Sequence, residues 1–223
     1  TLLQNILFGI SIWLLPVLFA ITLHEAAHGY VAWKLGDDTA KQLGRVSFNP
    51  LRHIDLYGTG IIPAVLLVTT SFVFGWAKPV PVDFGRLHNP RRDMVWVALA
   101  GPGINLAMAI FCAFMIDLAH LLPAPYGEWM IRNLFNAITF NLILAVFNMI
   151  PLPPLDGGRV AVGLLPDWLA YRLAGLENYG LFIIVGILFL LPMIGGQLGV
   201  DLNIFAQWKL VRLQNLWLHL GIL

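Results

Sequence analysis

At 223 residues with 59% hydrophobic and only 11% charged side chains, the chain departs far from the quarter-charged make-up of a soluble domain and reads as an integral membrane protein. A formal net charge of +1 gives no support for nucleic-acid binding. A single cysteine, Cys112, excludes an internal disulfide and a cysteine-rich metal site, and within its apolar run it reads as a small packed hydrophobe.

Crossing a bilayer core takes about 20 helical residues. The first apolar run, about 5–33, is too long for the core of a signal peptide and has no basic flank ahead of it, so a span is predicted. A shorter run, about 58–75, contains Gly58, Gly60 and Pro63. Further spans are expected over about 94–122, interrupted early by Gly101-Pro102-Gly103, over about 130–150, and over about 179–200, broken by Pro192 and Gly195-Gly196. The stretch 203–220 mixes apolar residues with Lys209 and Arg212 and reads as a helix lying at the interface. Two loops, KQLGRVSF (41–48) and AKPVPVDF (77–84), look extended and can pair as short strands at the membrane face, with Pro79 and Pro81 confining the second to an edge. The expected fold is therefore all-α, a polytopic helix bundle forming a single transmembrane domain over 1–223.

The first span carries LHEAAHGY, residues 23–30. Residues four apart share a helix face, so His24 and His28 can present ring nitrogens to one ion, while Glu25 flanks that ion within reach of a water. In this H-E-x-x-H arrangement two histidines hold zinc and the glutamate serves as general base. The blander reading, polar residues satisfied by neighbouring helices, runs against the cost of placing three ionisable groups in a bilayer. A catalytic zinc usually takes a third protein ligand and leaves one position open. Asp156 is the best candidate, because the prolines and glycines of NMIPLPPLDGG (148–158) prevent the preceding span from continuing as a helix. Irregular backbone at that depth is tolerated where it lines a cavity or is buried in protein. The alternative for Asp156 is the cap of a short helix starting at Gly157. The other histidines read as follows: His53, His88 and His219 as solvated or headgroup-contacting loop residues, and His120 as interfacial, while Asp117 is expected at the outer interface and Asn105 as a hydrogen bond between helices.

Taken together, H-E-x-x-H in a span and NMIPLPPLDGG beyond a later one resemble the site-2 protease family of intramembrane zinc metalloproteases. LGRVSFNPLRHIDLYGTG, GWAKPVPV and NPRRDMVWVALAGPGIN are similar to its compact prokaryotic branch, which lacks a PDZ domain. The resemblance covers roughly residues 15–185. It implies that His24, His28 and Asp156 bind one Zn2+, that Glu25 activates the water, and that Asn148 orients the substrate or stabilises the oxyanion. It implies as substrate a single-pass membrane protein, cut within or near its transmembrane segment. The rival class is a membrane zinc transporter or sensor without proteolysis. Such a protein would string ionisable groups along several spans, whereas here they gather at one end.

If Asp156 and the histidines share an ion, the first span and the 130–150 span must run parallel. Only 94–122 then crosses fully between them, and 58–75 becomes a re-entrant hairpin. All thirteen Lys and Arg residues except Arg132, Lys209 and Arg212 then fall on one face, which the positive-inside bias makes cytosolic. The expected location is the cell membrane, multi-pass, with the active site near the cytosolic side.

Overall fold

The computed structural model describes residues 2–53, 55–61, 65 and 78–197. By its internal packing the chain divides into Thr1–Ala174 and Gly175–Leu223. In the first unit the helices are α1 (Leu2–Lys34), α2 (Thr39–Gln42), α3 (Pro90–Ala119), α4 (Tyr126–Asn148), α5 (Asp156–Leu164) and α6 (Asp167–Ala174), with single 3-10 turns at Pro50–Arg52 and Phe84–Arg86 and a π-turn at Leu56–Ile61. The second unit contains α7 (Glu177–Val185), a π-turn at Gly186–Leu190 and α8 (Leu191–Gln197). That widened turn holds residue 188, whose carbonyl would face the ring of Pro192 in a regular helix.

Among the described residues, three helices are long and apolar enough to cross a membrane: Leu3–Lys34, Pro90–Ala119 and Tyr126–Asn148. They overlie the expected runs 5–33, 94–122 and 130–150, whereas the described part of the expected span 179–200 is made of shorter elements. Pro90 supplies the first position of α3, where a missing N–H costs nothing, and Asp93 Oδ2 accepts from Asn89 N at 2.8 Å. The bundle has a membrane protein's distribution of side-chain size. Small residues such as Ala20, Ala98, Ala109, Ala137 and Ala145 are buried where helices meet, whereas Phe114, 73% exposed, points outward. Close backbone approach between small residues replaces the hydrophobic core of a soluble bundle.

The register of cross-helix bonds sets the direction of each helix. Trp129 Nε1 donates to Ser11 Oγ at 3.0 Å, and Asn136 Nδ2 to the carbonyl of Ile12 at 2.9 Å. Further along, Asn105 Nδ2 links the carbonyl of Ala20 to Asn141 Oδ1. Rising numbers in α1 thus meet rising numbers in α4, so the two run the same way. Helix α3 runs against them: His24 meets Asn105, and His28 meets Val97.

No strand occurs among the described residues, and donor accounting explains why 41–48 and 78–84 do not pair. The first stretch ends α2 and turns sharply at Gly44, whose φ is +65°. In the second, Pro79 and Pro81 have no N–H, Lys78 N donates to the carbonyl of His53, Val80 N to Glu25, and Asp83 N to Asp37. Too few donors remain for a ladder. Ala77, most of the expected re-entrant run 58–75, the predicted interfacial helix 203–220 and His219 lie outside the described residues.

Two loops are stapled together beside the end of α1. Buried Asp37 accepts from Thr39 N at 3.0 Å, Thr39 Oγ1 at 2.5 Å and Asp83 N at 2.7 Å, while His88 N donates to the carbonyl of Leu35 at 2.9 Å. Burial alone would raise the Asp37 carboxyl, but the donors on Thr39 and Asp83 and the charge of Arg86 outweigh it and hold the pKa below the ordinary value. This staple lays the 78–83 segment along α1.

Candidate metal centre

Helix α1 offers its motif from one face, one turn apart. His24 Nε2 and His28 Nε2 lie 3.1 Å from each other, and Asp156 Oδ2 lies 3.2 Å from the first and 3.4 Å from the second. All three residues are largely buried and offer one ligand atom each, within 4.8 Å of one another, so the group can hold a metal ion. Asp156 arrives there because the chain leaves α4 at Asn148, passes through the loop of 149–155 and begins α5 at Asp156 itself. A Cβ on Gly157 would collide with the carbonyl of Met149, so only glycine lets α5 start this close to the loop. The capping alternative for Asp156 does not hold: it is the first residue of α5, and its buried Oδ2 has no hydrogen-bond partner.

The outer nitrogens decide which ring atoms carry protons. His28 Nδ1 lies 2.7 Å from the carbonyl of Val97, which can only accept, so His28 donates from Nδ1. His24 Nδ1 lies 2.6 Å from Asn105 Oδ1. The Asn105 amide cannot be reversed, because its Nδ2 faces the carbonyl of Ala20 at 3.2 Å and Asn141 Oδ1 at 2.7 Å, while Asn141 Nδ2 donates to the carbonyl of Ala137 at 2.8 Å. With Nδ1 engaged outward, both imidazoles turn Nε2 inward, the arrangement that supporting hydrogen bonds give metal-ligating histidines.

Three potential ligand atoms thus converge at one point, an arrangement that can hold a cation. Ligand atoms at about 2.0 Å from a tetrahedral zinc stand about 3.3 Å apart, close to the observed spacings. Gly101 of α3 completes the fit, since a Cβ there would strike His28 Nε2 and His24 Cε1.

Half-buried Glu25 points to the other side of the motif, where its Oε2 accepts from Val80 N at 2.8 Å. Its Oε1 has no hydrogen-bond partner among the described residues. Asn148 sits on the last turn of α4 with its Nδ2 on the carbonyl of Leu144 at 3.0 Å, and it makes no hydrogen bond to the metal group. His53 departs from expectation. It is buried at 2% exposure, with Nε2 at 3.0 Å from the carbonyl of Ser47, because the bend at 46–48 and the turn at 50–52 fold over it. Burial lowers its pKa and outweighs the hydrogen bond to the Ser47 carbonyl, and the nearby charge of Arg45 lowers it further. His88, His120 and Asp117 are exposed. The sequence reading missed Asn141, Val97 and Val80; only Asn141, a polar residue in an apolar run, left a signal.

Comparison with known proteins bears on this geometry. Residues 115–193 match the model of peptidase family M50. The chain is 38% identical over 187 residues, 80% of each chain, to the Bacillus subtilis protein named "Putative zinc metalloprotease YwhC". The chain belongs to peptidase family M50. A second relative, Rip2 of Mycobacterium tuberculosis, bears the same form of name and is 27% identical over 192 residues, 80% of this chain and 66% of its own. A shorter match, 41% identical over 64 residues, 29% of this chain and 31% of the relative, is to MJ0611 of Methanocaldococcus jannaschii. No solved structure matches significantly. As an M50 member with this donor set and these apolar helices, the protein is a zinc metalloprotease of the membrane, in accord with the site-2 protease resemblance.

Proposed function

We propose that the protein is an intramembrane protease that hydrolyses peptide bonds within or near the transmembrane segment of single-pass membrane-protein substrates. In this reading His24, His28 and Asp156 are the zinc ligands, and the whole chain forms one multi-pass domain with the site near the cytosolic face of the cell membrane. The observation that carries it is the convergence of those three ligand atoms inside a bundle of apolar helices, beside a glutamate that is not one of them. The gathering of basic residues on the loops at that end supports the cytosolic placement.

Zinc in such a site lowers the pKa of water to near 7 and polarises a carbonyl. Glu25, held through Oε2 by the Val80 amide, has Oε1 available to accept the proton of the attacking water and to pass it to the leaving amine. The Val97 carbonyl and Asn105 hold the imidazoles in the tautomer that keeps Nε2 free. Asn148 is the candidate donor to the developing oxyanion, a role that requires its amide to leave the carbonyl of Leu144. A helical substrate hides its scissile bond, so it must unwind locally before attack.

Purified protein in lipid vesicles, given a single-pass reporter substrate, tests this reading. Glu25→Gln is expected to abolish cleavage while zinc stays bound at one ion per chain. Cleavage that survives Glu25→Gln, or zinc flux without cleavage in the wild type, would refute it.

A further inference from the structure

One buried cation beside the motif has no role in the chemistry so far. Arg45 is 8% exposed, and no carboxylate lies within ion-pair distance of it among the described residues. Its Nε is buried without a hydrogen-bond partner. Nη2 instead donates to the carbonyl of Lys78 at 2.6 Å and reaches the carbonyl of Pro79 at 3.5 Å. Burying a guanidinium without a counter-charge is costly, so its retention calls for a specific gain.

The segment it grips is the one that holds Glu25. Residues 78–80 belong to no sheet and to no helix, and Pro79 has no N–H. Apart from Arg45, their backbone is held by Lys78 N on the carbonyl of His53 at 3.0 Å and by Val80 N on Glu25 Oε2 at 2.8 Å. Val80 also lies directly on α1: a Cβ on Gly29, one turn beyond Glu25, would come 3.0 Å from Val80 Cγ1. Arg45 reaches across from a fixed point. Its own N–H donates to the carbonyl of Ala40 at 2.8 Å, and Arg52 Nη1 holds the carbonyl of Gly44 at 2.5 Å.

We propose that Arg45 is a positioning residue for the general base: by clamping the carbonyls of Lys78 and Pro79 it aims the Val80 N–H at Glu25 Oε2 and so fixes where Oε1 meets the water. This rests on the reading of Glu25 as base. Glu25 is a flexible side chain on a rigid helix, and a displacement of about 1 Å at a reacting group can cost a hundredfold in rate. A charge-assisted bond to a carbonyl serves better than a neutral one because it resists being exchanged for water.

The test is a double-mutant cycle with the vesicle-reconstituted protein and a single-pass reporter substrate. Arg45→Gln removes the clamp. Val80→Pro removes the N–H it aims, at a position already flanked by proline on both sides. Each variant is expected to lower kcat about ten- to a hundredfold with KM within about twofold and zinc content unchanged. The double variant is expected to be no slower than the slower single, because both act through one bond. Arg45→Lys should recover part of the loss. The proposal is overturned if Arg45→Gln keeps wild-type kcat, if the two penalties multiply, if the loss lies in KM, or if Arg45→Gln loses zinc or the folded state. Glu25→Gln run alongside reports on the base reading alone: if it is inactive while Arg45→Gln matches wild type, only the positioning role fails.

Discussion

Asn105 links the metal-facing end of α1 to the middle of α4: its side-chain oxygen lies 2.6 Å from His24 Nδ1, and its nitrogen 2.7 Å from Asn141 Oδ1. It is fully buried, so neither contact competes with water. Replacing it by leucine keeps the branched shape and removes the acceptor that holds the His24 proton on Nδ1. Asn105→Leu is expected to weaken zinc binding about 10- to 100-fold, read by competition against a fluorescent chelator. Asn141→Leu should weaken it less, since Asn141 touches the site only through Asn105. Wild-type affinity in Asn105→Leu would mean that the tautomer is set elsewhere.

Gly101 gives a sharper steric prediction. The two imidazoles occupy the space in which a Cβ at this position would stand, whereas a Cβ at Gly103, two residues on, meets nothing within 4 Å. Gly101→Ala must displace His24 or His28, and it is expected to lose most bound zinc and activity. Gly103→Ala should keep both, even though alanine favours the helix equally at each site. Zinc content by elemental analysis separates the two; equal zinc in both variants would rule out the close approach of α3.

The Asp37 staple carries a pH dependence with a definite sign. The carboxyl titrates below its ordinary value in the folded state, so the stabilisation it provides is complete above the unfolded value, about 3.9, and is lost as pH falls through the lower folded value. Asp37→Asn puts an amide N–H where three donors converge and is expected to cost about 2 kcal/mol at pH 7. Thermal unfolding in detergent should show the gap between wild type and variant closing as pH drops below about 4. A gap that stays constant down to pH 3 would assign the cost to shape and not to charge.

What was legible in the sequence follows from where each constraint acts. His24 and His28 come together because helical spacing alone aligns them. Asp156 was legible because the prolines after α4 could not continue a helix, and a carboxylate on unwound backbone near a membrane needs a partner. The supporting bonds were not legible in the same way. The Val97 carbonyl and the Val80 amide are backbone atoms, present at almost every position, so no residue type marks them. Asn105 and Asn141 stand out in apolar runs, but their pairing depends on helix register. His53 shows the opposite failure: a polar residue in a loop reads as solvated unless one knows that the neighbouring turn folds over it. The expected strand pairing failed on local chemistry visible in hindsight, since two prolines and three side-chain or loop acceptors leave 78–83 almost no donors to share.

The same donor accounting explains a polar contact far from the metal. Pro16 lies inside α1 and has no N–H, so the carbonyl of Ile12 loses its regular helical partner in a setting where water is scarce. Asn136 Nδ2 lies 2.9 Å from that carbonyl and takes the missing donor's place. Asn136→Leu should therefore destabilise the wild type by about 1 kcal/mol, within the range of hydrogen bonds between membrane helices. In a Pro16→Ala background the helix recovers its own N–H, and the same substitution should cost close to nothing. Unfolding of the four proteins in mixed micelles gives the coupling directly. A penalty of equal size in both backgrounds would show that Asn136 contributes through packing, and that the carbonyl freed by Pro16 is satisfied without it.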